Sequence, residues 1–106
     1  MPHYQIQIRY NARSTQGLVG NPQDRRPQAA AIMEKLGGRL HDFWFTFGEW
    51  DALLLVELPD DTHALAVAMA DVAGEVGETR LTRLYDMDEA QAAMRIARDI
   101  DYHAPE

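Results

Sequence analysis

Cysteine is absent from this chain, and its absence excludes disulfide scaffolds, thiolate metal sites and cysteine nucleophiles. Serine and lysine are nearly absent, because Ser14 and Lys35 are the only residues of their types. A serine nucleophile or a Schiff-base lysine would have to use one of these positions, and neither stands in a recognisable catalytic pattern. The sequence therefore offers little support for covalent catalysis.

Positive charge is also scarce, with 10 Lys and Arg against 17 Asp and Glu and a net charge of −7. Nucleic acids and anionic membranes are bound through clustered basic side chains, and here only Arg25 and Arg26 are adjacent. No apolar run approaches the ~20 residues that span a bilayer, and no basic-then-apolar leader opens the chain. We expect no nucleic-acid partner, no membrane association and a cytoplasmic location.

The length of 106 residues predicts a single domain spanning 1–106. A chain of this size buries roughly two-thirds of its unfolded surface, so it needs no metal or disulfide to fold. The hydrophobic share of 46% and the charged share of 25% are typical of a globular protein. No nucleotide-binding or metal-binding spacing is present, and we expect no cofactor.

In the first third of the chain, hydrophobic alternation predicts a strand from His3 to Tyr10. The segment 11–23 is rich in Asn, Gly, Ser and Pro, which predicts a long loop. A helix is expected from near Asp24, with Pro27 in its first turn, to a left-handed Gly37. Its predicted apolar stripe contains Ala29, Met33 and Leu36.

Two further strands are predicted at Arg39–Phe47 and Asp51–Leu58. The second of these is apolar on both faces, which is typical of a central strand that is buried on both sides. Alternation assigns one set of side chains to the face that the helices cover. That set is Tyr4, Ile6, Ile8, Phe43, Phe45, Phe47, Leu54 and Val56, with His41 on the same side.

The last third of the chain adds two helices and a strand. Asp60 or Asp61 is expected to cap a helix that follows Pro59, and a fourth strand is predicted at Glu78–Tyr85. Asp86 or Asp88 then caps a helix at about 87–100. The predicted stripes of the two helices are Leu65, Met69 and Val72, and Ala90, Ala93, Met94, Ala97 and Ile100.

The order of these elements predicts an α+β fold, the ferredoxin-like βαββαβ sandwich. Right-handed crossovers would place two helices on one face of a four-stranded antiparallel sheet, with the first and third strands in the centre. The core of the domain would span 3–86, and the helix at about 87–100 would be an addition to it.

The sheet face opposite the two helices, here called the open face, mixes large apolar and polar side chains. Leaving Trp44, Leu53 and Leu55 in water costs about 25 cal/mol per Å² of apolar surface, so this face is expected to be covered. The last helix, a second copy of the chain, or both with a pocket between them would cover it. Its predicted members are Gln5, Gln7, Arg9, Trp44, Thr46, Leu53, Leu55 and Glu57.

Arg9 and Glu57 occupy neighbouring central strands on this face, and two interpretations remain open. The first is a cross-strand ion pair that contributes little to stability. In the second, Arg9 binds the carboxylate of a ligand with help from Gln5 and Gln7. The predicted ligand-binding residues are Arg9, Gln7, Trp44, Glu57 and Trp50.

The turn Gly48-Glu49-Trp50-Asp51 places two carboxylates beside a tryptophan. Glu49 and Asp51 are candidates for acid–base catalysis, which requires one of them to be desolvated. The structural alternative is a hairpin in which Asp51 stabilises the turn and Trp50 packs over the end of the sheet.

The four histidines, His3, His41, His63 and His103, show no metal-binding spacing, so the sequence predicts no metal site.

Several segments resemble the GYD domain family between Tyr4 and about Tyr85. They include the Phe43–Gly48 strand, the Gly48-Glu49-x-Asp51 turn, the loop Thr15-Gln16-Gly17, the helix end Lys35-Leu36-Gly37-Gly38 and the run Pro59-Asp60-Asp61. Trp50 stands where the family prefers tyrosine, which retains an aromatic ring but removes a phenolic hydroxyl. The resemblance implies a ferredoxin-like fold similar to the dimeric α/β-barrel proteins, and it implies no particular activity.

Three functional hypotheses follow from these observations. In the first, the protein is a homo-oligomeric module, dimeric or larger, that binds a small organic ligand or a partner at the open face. In the second, it is a cofactor-independent enzyme of the dimeric α/β-barrel type, an oxygenase or isomerase, with Glu49, Asp51 or a histidine as the base and Arg9 as the substrate anchor. In the third, it is a structural subunit of an assembly.

Overall fold

The computed structural model describes residues 1–105, which form four strands and four helices. In chain order the elements are β1 (His3–Tyr10), α1 (Ala12–Gly20), α2 (Arg26–Lys35), β2 (Arg39–Phe45), β3 (Ala52–Glu57), α3 (Asp61–Ala73), β4 (Gly77–Leu84) and α4 (Met87–Ile100). The strands form one antiparallel sheet in the order β2-β3-β1-β4. The α+β class and the central position of the first and third strands are therefore as predicted.

One face of β1 and β3 forms the floor of the hydrophobic core. Tyr4, Ile6 and Ile8 alternate inward from β1, and α2 and α3 cover them with Met33 and Val67. The Tyr4 hydroxyl donates a hydrogen bond of 2.6 Å to Asp61 at the start of α3. Burial and this carboxylate raise the pKa of Tyr4 to about 12. The rest of the core is Ala52, Leu54, Val56, Leu58 and Ala64.

The segment predicted as a long loop contains a helix, so this prediction is wrong. Asn11 caps α1 by accepting a hydrogen bond of 2.8 Å from the Ser14 amide. The Ser14 hydroxyl and the Asn11 side chain donate to the carbonyls of Val76 and Glu75, and these bonds tie α1 to the start of β4. The helix contains two glycines and no buried residue, so hydrophobic periodicity gave no sign of it.

The next helix follows the prediction more closely. α2 begins at Arg26, Pro27 lies in its first turn, and Gly37 beyond its end has a φ of 81°. A left-handed φ of this size favours glycine because a Cβ would clash with the backbone.

An irregularity in β2 overturns part of the predicted face assignment. The register with β3 shifts between Leu40 and Asp42, so His41 is the extra residue of a β-bulge. The extra residue turns Leu40 toward the core and His41 toward the open face, and the predicted placement of His41 beside Phe43 is wrong.

The end of the aromatic segment also departs from the prediction. β2 stops at Phe45, and Phe47 lies outside the strand with a fully exposed side chain. Phe45, the last residue of this edge strand, is 61% exposed. Of the three phenylalanines assigned to the helix side, only Phe43 packs against the core.

α3 packs on the sheet through a different stripe from the predicted one. Of the two predicted candidates, Asp60 caps the helix, by accepting a hydrogen bond of 2.9 Å from the His63 amide. The buried residues are Ala64 and Val67, whereas the predicted stripe of Leu65, Met69 and Val72 is 56–64% exposed. Apolar residues occur all around the circumference of α3, so the sequence does not define one buried face. The smaller side chains of Ala64 and Val67 allow the closer approach to the sheet.

α4 projects from the rest of the molecule. Asp86 and Glu89 form a reciprocal capping box at its start, so Asp86 is the cap among the two predicted candidates, Asp86 and Asp88. No residue of α4 is buried, and the helix does not cover the open face. The radius of gyration is 17.2 Å, against about 13 Å for a compact chain of this length, and the long axis is 57 Å.

The different burial of Leu58, which follows β3, and of Leu65 in α3 predicts unequal effects for the same substitution. Leu58 is fully buried, so Leu58→Ala should lower the free energy of unfolding by about 2–5 kcal/mol. Leu65 points outward, so Leu65→Ala should cost less than about 1 kcal/mol. Urea unfolding followed by circular dichroism measures both, and equal losses would contradict the observed orientation of α3.

Candidate functional site

The open face is arranged as rows of side chains that run across the four strands. The register places Trp44, Leu53, Gln7 and Arg80 in one row. Trp44 is 62% exposed, and Leu53 and Leu55 are half-buried. The three large apolar groups therefore lie together on the face that alternation predicted, although a ligand-binding role for Trp44 and Gln7 stays a prediction.

Arg9 lies at one end of this face, where two carboxylates surround it. Its guanidinium lies 3.3 Å from the Glu49 carboxylate and 3.2 Å from that of Glu78, and it donates a hydrogen bond of 2.8 Å to the Glu49 carbonyl. The ring of Trp50 packs against the same guanidinium, with 5.0 Å between Arg9 Cζ and the ring centroid. The charge of Arg9 is therefore already matched within the chain.

The predicted ion pair between Arg9 and Glu57 does not form. The antiparallel register places Glu57 opposite His3, at the far end of β1. Six residues of extended chain separate the two positions on β1, a distance of roughly 20 Å. Of the predicted ligand-binding residues, the structure brings Arg9 and Trp50 together and leaves Glu57 in a separate group.

The two candidate carboxylates of the turn have different environments. The Asp51 carboxylate accepts a hydrogen bond of 2.8 Å from the Tyr10 amide, and the Asp51 amide donates to the Ile8 carbonyl. These bonds fix the turn to β1, which corresponds to the structural alternative. Glu49 is exposed and paired with Arg9. A catalytic role for either residue stays a prediction that this geometry does not favour.

At the opposite end of the open face, His3 and His41 converge on Glu57. The His3 Nε2 atom lies 2.9 Å from Glu57 Oε1, and the His41 Nε2 atom lies 3.4 Å from the same oxygen. Partial burial acts to raise the pKa of Glu57, but the hydrogen bond to His41 and the charges of His3, His41 and the chain amino terminus outweigh it. The pKa of Glu57 therefore lies below its ordinary value.

The sequence gave no direct sign of this cluster, because its members come from three strands. His3 and Glu57 meet through the register of β1 and β3, and His41 reaches them only because of the bulge in β2. Within residues 1–105, this is the group of three His, Asp or Glu side chains whose ligand atoms lie close enough together to hold a metal ion. A spacing search along the chain does not detect such a group.

A second candidate site, a hollow, lies on the other side of the sheet. A cavity of about 440 Å³ opens between the sheet and helices α1, α2 and α3. Its floor is apolar and comes from the buried faces of β1, β2 and β3. The floor and inner wall include Ile6, Ile8, Met33, Phe43, Leu54 and Val67.

Polar groups line the mouth of this cavity. Ser14 and Arg25 approach from α1 and the start of α2, and Asp71 approaches from α3. Burial raises the pKa of Asp71, although a hydrogen bond from Thr79 partly opposes the change. Burial also raises the pKa of Tyr10, which lines the same cavity. The sequence interpretation missed this site, because the loop prediction removed the helix that forms one wall.

The protein is thus a small α+β domain with one sheet. A cavity lies between the sheet and the helices, and the open face is uncovered. A family model for the GYD domain matches residues 4–94, and the chain therefore belongs to the GYD domain family. This match confirms the resemblance drawn from the Gly48-Glu49-x-Asp51 turn and its neighbours. A comparison with curated proteins gives no match. Among the described residues, no helix has both the length and the apolar character required to cross a lipid bilayer.

The raised pKa of Asp71 predicts a pH-dependent stability difference. A carboxyl with a raised pKa favours the folded state while it is protonated, so this contribution is complete below the ordinary carboxyl range and is lost as pH rises through the raised pKa. Asp71→Asn removes the ionisation, and the variant should become progressively more stable than the native chain between about pH 3.5 and pH 7. Thermal unfolding across this range measures the difference.

The matched control is Asp42→Asn, which changes an exposed carboxylate on the opposite face. Its stability relative to the native chain should vary less with pH than that of Asp71→Asn. A constant difference for Asp71→Asn across the range would contradict the desolvation of Asp71.

Proposed function

We propose that this GYD domain protein is a self-associating module that binds a small, largely apolar organic molecule in the cavity between its sheet and helices. The single observation that carries the proposal is the cavity of about 440 Å³ with an apolar floor and a polar mouth. Ligand-binding pockets in proteins have volumes of about 300–1,000 Å³ and combine an apolar lining with a few polar groups.

The polar mouth favours a ligand with a polar or anionic end. The Arg25 side chain donates a hydrogen bond of 3.0 Å to the Gln23 side chain, and within residues 1–105 it forms no salt bridge with a carboxylate. Arg25 is therefore free to pair with an anionic group, and the Ser14 hydroxyl lies at the same mouth. The apolar floor would hold the body of the molecule. The ligand class is thus an apolar or aromatic body with one anionic or hydrogen-bonding end.

The dye anilinonaphthalenesulfonate has this character and serves as the probe. Gly17 lines the cavity, and a Cβ at this position meets no atom within 4 Å. Gly17→Phe should therefore fold and place its ring in the cavity mouth, which should weaken dye binding by at least about tenfold. Calorimetric titration gives the affinity and the stoichiometry.

Gly20→Phe is the matched control, because Gly20 also lies in α1 and has the same free space but does not line the cavity. This variant should bind the dye as the native chain does. Equal binding by the two variants, or no saturable binding by the native chain, would contradict the cavity as the ligand site.

Self-association is supported by two uncovered surfaces that carry large apolar side chains. Four strands about 4.8 Å apart, each about seven residues long, give the open face a flat area of roughly 450 Å². A standard interface buries about 800 Å² on each partner, so the sheet alone is too small. α4 is about 21 Å long and exposes Met87, Met94 and Ile100, and this stripe would supply the remaining area. We therefore assign both surfaces to contact with a second copy of the chain.

Trp44→Asp tests this assignment, because a charge in a buried interface is costly. We expect the native chain to be a dimer or larger and the variant to be a monomer, as measured by light scattering during size-exclusion chromatography. Met69→Asp is the control, since Met69 is 63% exposed, close to the 62% of Trp44, but lies on α3. A monomeric native chain, or a variant Trp44→Asp of unchanged mass, would contradict the interface.

Several finer expectations from the sequence belong to the same proposal. The strand order and the antiparallel neighbours support a ferredoxin-like sheet, and the cytoplasmic location stays a prediction. The expected ligand position at Arg9, Gln7, Trp44, Glu57 and Trp50 on the open face is less well supported. Arg9 already pairs with two carboxylates, and Glu57 lies at the other end of the strand.

A cofactor-independent enzyme is the second candidate, and one observation favours it. Asp71 lines a cavity with an apolar floor, and its pKa is raised. These are properties of a general base. If the cavity hosts a reaction, Asp71→Asn should retain binding of the reacting molecule and lose its conversion. Asp71 would then replace Glu49 and Asp51 as the candidate base.

A further inference from the structure

The two histidines and the carboxylate at the end of the open face have the arrangement of a metal site. Each comes from a different strand of one sheet, namely β1, β2 and β3. Backbone hydrogen bonds between the strands fix these positions, so the three side chains start from a rigid frame. The β-bulge turns His41 toward the other two, and bulges commonly redirect a side chain in this way near functional sites.

The distances between the three side chains match the requirements of a single ion. A tetrahedral ion with ligands at 2.0–2.1 Å holds neighbouring ligand atoms about 3.4 Å apart. The two imidazole nitrogens lie 2.9 Å and 3.4 Å from Glu57 Oε1, and all three ligand atoms lie within 4.8 Å of one another. Small side-chain rotations would therefore suffice to bind an ion.

The surroundings also suit a cation. Leu55 and Leu84 line the hollow of about 250 Å³ beside the cluster, and the acidic residue Asp42 lines the same hollow. Arg39 lies opposite Glu57 in the register, yet it forms no salt bridge with that residue in the described part of the chain. Within the described residues, the groups that interact with the Glu57 carboxylate are therefore the two imidazoles and the nearby amino terminus.

We propose that His3, His41 and Glu57 bind one divalent first-row transition metal ion, such as Zn²⁺, with one ligand atom from each side chain. Two imidazoles and one carboxylate leave at least one coordination position for water or an added ligand. The apposed rings of His3 and His41, with centroids 5.5 Å apart, keep both Nε2 atoms on the same side of the sheet.

Calorimetric titration of the tag-free chain with Zn²⁺ tests the proposal. The expected result is one Zn²⁺ per chain, with a rise in the melting temperature when the ion is present. Loss of an outer group that hydrogen-bonds a metal ligand typically weakens metal binding by roughly 10–100-fold. His41→Ala and Glu57→Gln each alter a ligand itself, so each should weaken Zn²⁺ binding by at least this factor. Titration with Co²⁺ should give visible absorption bands that the two variants lack.

His63→Ala and His103→Ala are the matched controls, because each of these histidines pairs with a single aspartate away from the cluster. Both controls should retain the affinity and the stoichiometry of the native chain. Absence of Zn²⁺ binding by the native chain, or equal affinity in His41→Ala, would overturn the proposal. With either outcome, the three side chains would form only an ordinary cross-strand ion pair.

The metal site and the ligand cavity are tested independently, because they lie on opposite faces of the sheet. Gly17→Phe should bind Zn²⁺ normally, and His41→Ala should bind the dye normally. The Trp44→Asp variant should also retain Zn²⁺, since a single chain supplies all three ligands. Loss of Zn²⁺ binding on dissociation of the chains would contradict a site built by one chain.

Discussion

The register of β1 between its two neighbours is the constraint on which the rest of this structure depends. Ile6 lies opposite Leu54 of β3 on one side and Leu81 of β4 on the other. Tyr4 and Ile8, two positions away along β1, are buried on the same face. Because side chains alternate along a strand, this pairing also places His3, Gln7 and Arg9 on the opposite face. A slip by one residue would exchange the two faces, so the core and the open face are determined together.

The two faces then acquire different chemistry from different local features. On the helix side, small residues such as Ala64 let α3 approach the sheet, while α1 stands further out and leaves a cavity. On the open side, the bulge at His41 completes a group of three potential ligands. Neither feature requires the other, because the sheet separates them.

The Gly48-Glu49-Trp50-Asp51 turn has a structural rather than a chemical role. Asp51 binds the backbone of β1, and Glu49 and Trp50 hold Arg9 from two sides. The aromatic ring packs against a guanidinium, a contact that needs a π face and no hydroxyl. The indole ring of Trp50 therefore suits the observed packing at this position.

The sequence by itself determined the elements whose signals are local. Alternation in His3–Tyr10 and the left-handed Gly37 depend on neighbouring residues, and the structure has both. The sequence also limited the two helix caps to Asp60 or Asp61 and to Asp86 or Asp88, and the structure has Asp60 and Asp86. The family followed from other short segments, such as Gly48-Glu49-x-Asp51 and Pro59-Asp60-Asp61. Only the tertiary structure decided the outward stripe of α3, the projection of α4 and the meeting of His3, His41 and Glu57. These depend on which surfaces compete for the sheet and on one extra residue in β2, and hydrophobic periodicity carries no information about either.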